Sequence, residues 1–300
     1  MITKLEELIP AVQAKGKKRL VAAYANDAHT IEAVHDAVRL NIVEATLIGD
    51  IPTIKSVCAE HQIDPRDFSL IQEDTDVKCV SLAIKMINDG MADILMKGLV
   101  STDKYMKGIL AKEGGLVPPK STLSHVTVLE MEAYHKLLTV TDVAVIPHPD
   151  LDQKVALTRY VIKVAQSLGI KTPKVALIAP TEQMLPKMEA CVDAAIISKM
   201  ADRKQITGAI IDGPLALDVA IDKETADIKK LTSPVDGDAD CLVFPNIESA
   251  NVFFKTSTKL LHAKLAAMVM GAKVPCVLTS RGDTKESKLY SIALAALTAK

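Results

Sequence analysis

A chain of 300 residues that is 49% hydrophobic carries enough apolar material for one large domain or two smaller ones, and two lobes are the preferred division. Its 36 Lys and Arg against 37 Asp and Glu give a formal charge of -1, which excludes a basic surface on the scale that nucleic acid requires and makes any anion site a local one. No Trp, 4 Phe and 5 Tyr leave few stacking platforms, 5 widely spaced Cys without a Cys-x-x-Cys pair argue against a disulfide framework or zinc site, and no apolar run approaches the roughly 20 residues that span a bilayer.

The stretch from Met1 to Glu7 is acidic and amphipathic without a signal core, so a cytoplasmic location is expected. After a short N-terminal helix, Lys18 to Ala23 reads as a strand, and Asp27 or Thr30 is placed to cap a helix reaching about Leu40. Ala45 to Ile48 is a second strand with a Gly49-Asp50 turn, followed by a helix over about 54–61 and a third strand at Phe68 to Ile71. Val77, Val80, Ile84 and Ile87 fall at helical spacing up to Gly90, and Ala92 to Met96 forms a strand that exits at Lys97-Gly98. This alternation predicts a largely parallel sheet with helices on both faces.

Between Gly98 and Asp150 the rhythm changes to a helix near Asp103 to Ala111, a loop with Gly114-Gly115 and Pro118-Pro119, and β-rich runs at 124–130 and 137–140. The apolar run Val143 to Ile146 then stops at Pro147-His148-Pro149, and the first lobe boundary is expected near residue 138. Beyond it, Leu157, Val161, Val164, Ala165 and Leu168 make a helix stripe, and strands are expected at 174–178, 208–214 and 241–246. A helical region from about Ile247 is followed by Leu261, Leu265 and Met268 on one helical face. A strand at Val274 to Leu278 and a last helix carrying Leu289, Ile292, Ala293, Ala296 and Leu297 complete the chain.

The chain lacks Gly-x-Gly-x-x-Gly, a Walker loop, His-Glu-x-x-His and Gly-x-Ser-x-Gly, so chemistry has to be sought at the carboxyl ends of strands. Ser280-Arg281-Gly282 follows an apolar strand and precedes a helix, where free amides and a guanidinium suit phosphate or a developing oxyanion. Arg281 reads either as a bidentate phosphate clamp or as a structural salt bridge, and Ser280 as an anion donor or a local backbone partner. Asp283 with Glu286 has capping-box spacing, which favours Asp283 as the N-cap of the last helix over a catalytic base. Lys97 could contact phosphate or be an ordinary paired lysine; the hydroxyl-rich runs 120–125 and 255–259 could bind or merely turn. His125 and His148 are possible acid or base groups, and Asp212 has no acidic companions at metal-ligand spacing, so no metal site is expected.

The motifs Ala92 to Val100, Leu123-Ser124-His125-Val126, Pro147-His148-Pro149-Asp150, Ile211-Asp212-Gly213-Pro214-Leu215, Val243-Phe244-Pro245-Asn246, Asn251 with Lys255, and Ser280-Arg281-Gly282-Asp283 occur in one order. In that order the chain resembles the phosphate acetyl/butyryltransferase family over about residues 19–297, nearer to its phosphate butyryltransferase branch. The resemblance implies reversible acyl transfer between coenzyme A and inorganic phosphate. Coenzyme A is then a substrate, and no cofactor is permanently bound. It also implies a two-lobed, three-layer α/β/α fold like that of isocitrate and isopropylmalate dehydrogenases, in a homodimer or dimer-based oligomer with the site in the cleft. The lobes would be 1–138 with 283–300, and 139–282.

On that resemblance the coenzyme A thiolate attacks the acyl phosphate directly. Arg281 and Ser280 are the catalytic pair, Asp283 is a further catalytic candidate, and Lys97, Ser124, His125, Asn251, Lys255 and Ser287 bind substrate. The family's acetyltransferases carry an aspartate six residues after the motif arginine, where this chain has Ser287, so the thiol proton would pass to Asp283, Glu286, His125 or solvent. Competing readings are a phosphate acetyltransferase, an isopropylmalate-type dehydrogenase and a non-catalytic module that binds coenzyme A or an anion.

Overall fold

The computed structural model describes residues 1–278 and 284–300. A short 3-10 turn leads into α1 (Leu8–Lys15), β1 (Lys18–Ala23), α2 (Ala28–Arg39), β2 (Val43–Gly49), α3 (Ile51–Glu60), β3 (Ser69–Gln72), α4 (Asp76–Asn88), β4 (Ile94–Lys97) and α5 (Thr102–Ile109). Then come β5 (Ser124–Glu130), β6 (Leu138–Thr141), α6 (Leu151–Ser167), β7 (Lys174–Ile178), α7 (Glu189–Asp202), β8 (Ile210–Leu215), α8 (Leu217–Ile221) and α9 (Lys223–Ile228). The chain continues through β9 (Cys241–Val243), α10 (Ile247–Lys259), β10 (Lys264–Met270), β11 (Cys276–Val277) and α11 (Lys285–Thr298). No helix among the described residues is long and apolar enough to cross a membrane.

The chain divides into two compact α/β units. The terminal unit is Glu6–Leu123 with Ala266–Lys300, and the central unit is Ser124–Leu265 with Met1–Leu5. In the terminal unit the strands run in the order β3-β2-β1-β4-β11-β10. All neighbours are parallel except β10 with β11. Its helices start where short polar side chains satisfy open amides: Asp27 accepts from Thr30 N at 3.0 Å and Asp50 from Thr53 N at 3.0 Å. α11 packs on α1 and α2 and is buried around its whole circumference from Tyr290 to Thr298, which is why its apolar positions exceed one stripe.

The central unit has the strand order β5-β6-β9-β7-β8, antiparallel only between β5 and β6. α6 packs across β5, β6 and β9, and starts at a full capping box in which Asp150 and Gln153 satisfy each other's backbone amides.

The unit boundaries fall at 123/124 and 265/266, not at 138/139 and 282/283. β5 pairs with β6 and β6 with β9, so the whole hairpin shares the central core. β11 pairs with β4, which draws the chain after 265 into the terminal core. One local expectation also changes. Leu261, Leu265 and Met268 share no helical face, because α10 ends at Lys259 and β10 is a strand buried on both sides after Lys264. Such a strand loses its two-residue alternation and mimics helical spacing. The apolar run Val143 to Ile146 is a loop, for a reason that lies in Asp142.

Candidate functional site

In the terminal unit, the carboxyl ends of β4 and β11 lie side by side, with Cys276 opposite Leu95 and Val277 opposite Met96. Lys97 is the next residue along β4. It is 7% exposed, and its ammonium donates to the carbonyls of Gly98 at 3.1 Å and Val100 at 3.0 Å. The charge is thus held against the loop that leaves the strand. That loop runs tightly over the end of β1: Gly98 N donates to Ala23 O at 3.0 Å and Leu99 N to Tyr24 O at 2.8 Å. A Cβ on Gly98 would collide with both carbonyl oxygens, so glycine is required there by close approach.

Tyr105, fully buried on α5, is a residue that sequence reasoning missed. Its hydroxyl lies 3.2 Å from Leu95 O and 3.3 Å from Val277 O, bridging β4 and β11. Burial raises its pKa well above the ordinary phenol value, so it stays a neutral donor.

Ser280, Arg281 and Asp283 lie outside the described residues. The helix that follows them is capped by Thr284, whose Oγ1 accepts from Ser287 N at 3.1 Å and donates to Ser287 Oγ at 2.9 Å. The cap is therefore not the Asp283–Glu286 box, and Glu286 instead accepts from Tyr290 OH at 2.9 Å. Ser287 is buried in the first turn, and its carbonyl takes the Ser291 hydroxyl at 2.7 Å.

In the central unit two of the sequence-selected residues, Ser124 and His125, meet in one hydrogen-bonded network. Ser124 Oγ is 2.7 Å from Thr141 Oγ1, and Thr141 Oγ1 is 3.2 Å from His125 O. A carbonyl can only accept, so the single Thr141 proton goes to His125 O and Ser124 must be the donor to Thr141. Ser124 is wholly buried, and its one proton is spent inside the protein, so it presents no donor to an anion in this structure. His125 is also buried, and its Nδ1 lies 3.3 Å from Thr127 Oγ1.

The next residue, Asp142, is 2% exposed and organises the loop that leaves β6. Its Oδ1 accepts from Ala144 N at 2.8 Å and Val145 N at 2.9 Å, and its Oδ2 from Ile146 N at 3.2 Å. Three amides satisfy the buried carboxylate and wrap 143–146 around it, which prevents those residues from pairing as a strand. Asn251 on α10 reaches the same loop, with Nδ2 donating to Val143 O at 2.9 Å. Thr141 and Asp142 were invisible to motif reading because their partners come from another strand or from backbone amides.

Lys255, one turn beyond Asn251, is exposed, with Nζ 4.9 Å from the Phe254 ring centroid. The nearby hydroxyls of Ser257 and Thr258 return to carbonyls of their own helix, the ordinary structural role. Lys97 and Ser287 belong to the terminal unit, whereas Ser124, His125, Asn251 and Lys255 belong to the central one. The central unit also holds a mainly apolar cavity of about 1300 Å³ at the carboxyl ends of β7, β8 and β9, bordered by Ile178, Leu217, Phe244 and Val252.

All five cysteines are buried. Burial raises the Cys58 thiol, pushes Cys79 to about 11 and Cys276 to about 12, and holds Cys241 well above its ordinary value, so these four are poor nucleophiles. Among the described residues, no group of three or more His, Cys, Asp or Glu side chains forms a metal-holding set.

The sequence model of the family described as "Phosphate acetyl/butaryl transferase" matches residues 76–296. The phosphate butyryltransferase of Clostridium acetobutylicum is 43% identical over 299 residues, covering 100% of this chain and 99% of its own. The phosphate acetyltransferase of Thermotoga maritima is 41% identical over 295 residues, covering 98% of this chain and 99% of its own. Among solved structures, a branched-chain phosphotransacylase from Enterococcus faecalis V583 superposes with a TM-score of 0.81 at 29% identity, covering 94% of this chain and 98% of that one.

Proposed function

The chain belongs to the phosphate acetyl/butaryl transferase family, and on that premise we propose that it moves a short-chain acyl group reversibly between acyl-CoA and inorganic phosphate, with butyryl as the preferred group. The observation that carries this reading is the end-to-end likeness to the clostridial phosphate butyryltransferase. The comparable likeness to an acetyltransferase makes acyl-chain length the property to measure.

In the proposed reaction the coenzyme A sulfur attacks the acyl phosphate carbonyl carbon, a C–S bond forms, and the C–O bond breaks with its electron pair leaving on phosphate. In reverse, a phosphate oxygen attacks the thioester and the thiolate leaves. Arg281 holds the phosphate and its developing charge, and Ser280 donates to the reacting centre. Their place in the chain, just after a strand that pairs with β4, supports this role, and so does Lys97 at the adjoining strand end. His125 and Lys255 are further candidates for substrate contact, and Asp283 lies close in sequence to the reacting pair. The burial of the cysteines supports direct transfer over a cysteinyl acyl-enzyme. Ser287 has no carboxylate and its hydroxyl is engaged by Thr284, so we assign the thiol proton to solvent. The enzyme acts as a homodimer, a reading supported by exposed Val252 at the edge of the apolar cavity.

The test is thiol release from acetyl-, propionyl-, butyryl- and branched acyl-CoA with and without phosphate. Phosphate-dependent release, fastest with butyryl-CoA, is the expected result. Release that ignores phosphate, or none while coenzyme A still binds, overturns it in favour of a binding module.

A further inference from the structure

We propose that Asn251 and Asp142 form one positioning device for the 142–146 loop, and that Asn251 serves the reaction through this loop and not by holding substrate. The inference rests on the acyl-transfer reading above and concerns how the central unit orders its own candidate residues.

The directions of the hydrogen bonds carry the argument. Val143 O can only accept, so the Asn251 atom 2.9 Å away is its amide nitrogen, and a donor of that side chain is committed inside the protein. The Asp142 carboxylate can also only accept, and it gathers the next three amides of the same loop. The loop is thus gripped by its amides from within and by the Val143 carbonyl from α10. Two further ties close the frame: Ile247 N donates to Pro147 O at 3.0 Å, and Phe244 N to Thr141 O at 2.9 Å.

Upstream, the frame reaches the candidate residues. Thr141, adjacent to Asp142, points its hydroxyl at His125 O and receives the Ser124 proton. A displaced loop would turn Thr141, release the His125 carbonyl and leave the buried Ser124 proton without its acceptor. Ser124 and Asn251 are therefore two ends of one chain of contacts, Ser124–Thr141–Asp142–loop–Asn251, separated by 127 residues in sequence. A displacement of about 1 Å in such a frame can cost a reaction up to roughly 100-fold.

The experiment uses the full chain with Asn251→Ala, Asn251→Asp, Asp142→Asn and the double variant Asp142→Asn/Asn251→Ala. Thiol-release kinetics and deuterium uptake of peptides spanning 142–147 are measured for each. Expected are a kcat about tenfold lower in the single variants, KM for phosphate and butyryl-CoA within about twofold of the parent, and faster uptake in 142–147. Asn251→Asp should be at least as damaging as Asn251→Ala, because it places an oxygen against the Val143 carbonyl. The double variant should be no worse than about threefold beyond the weaker single, since both changes loosen the same loop.

A raised KM with kcat retained, or effects that multiply in the double variant, would assign Asn251 to substrate and overturn the proposal. Unchanged uptake in Asn251→Ala would overturn it whatever the activity. If Asp142→Asn fails to fold, the two Asn251 variants, on a half-buried helix face, still decide. A parent chain inactive with every acyl-CoA removes the acyl-transfer reading and the catalytic half of the proposal with it, while uptake still decides the loop device.

Discussion

Arg281 is one guanidinium on which the proposed phosphate chemistry depends. Arg281→Ala should lower acyl transfer at least about tenfold, the scale of one charge-assisted transition-state contact. A near-parent rate removes Arg281 from the mechanism. The Thr284–Ser287 cap gives a second residue-scale expectation: Thr284→Ala leaves Ser287 N without its side-chain acceptor and should cost about 1 kcal/mol in denaturant unfolding. The assignment of the thiol proton to solvent has a kinetic signature as well. With acyl phosphate as substrate, kcat/KM for coenzyme A should rise about tenfold per pH unit until the thiol titrates near about 8.5, and a plateau well below that value would reveal a protein base.

At the scale of elements, Tyr105 and Lys154 hold helices to the structures that bear the candidate residues. Tyr105→Phe removes the one proton shared by the Leu95 carbonyl of β4 and the Val277 carbonyl of β11, and should cost about 1–2 kcal/mol in urea unfolding. Lys154 on α6 is 5% exposed and donates to Asp193 on α7 at 2.6 Å. Lys154→Met would strand a buried carboxylate and cost about 3–5 kcal/mol, whereas adding Asp193→Leu should recover much of the loss. The βα alternation up to Lys97 was legible in the sequence because amphipathic helices there start at short acidic caps such as Asp27 and Asp50 and alternate with short apolar runs. β10 was not, because a strand buried on both faces carries no period of its own. The same contrast governs the candidate site. Ser124, His125 and Asn251 stand in readable motifs, but the tie between them depends on β5 pairing with β6, which only the folded chain reveals.

Across the whole molecule, acid sensitivity has an identifiable source in the central unit. Partial burial pushes the Asp238 carboxyl up, but hydrogen bonds from Lys136, Lys174 and His135 win and hold it at about 2. Its folded-state pKa is depressed, so its stabilising contribution is complete above the unfolded value of about 3.9 and is lost as pH falls toward 2. Asp238→Asn should therefore lower the thermal midpoint at pH 6 and reduce the loss of stability between pH 4 and pH 2. Its cost at pH 6 stays near the roughly 1 kcal/mol of a solvent-screened pair. The homodimer reading predicts that Val252→Asp lowers the sedimentation mass toward that of one chain.

The five buried cysteines have a practical consequence beyond the reaction pathway. A disulfide reagent added to the native protein should find almost no reactive sulfur, so thiol appearing during turnover reports coenzyme A with little background. Under denaturant the same chain should yield five equivalents. The slow labelling of native protein then measures how often each unit opens, with Cys79 and Cys276 reporting on the terminal unit and Cys191 and Cys241 on the central one.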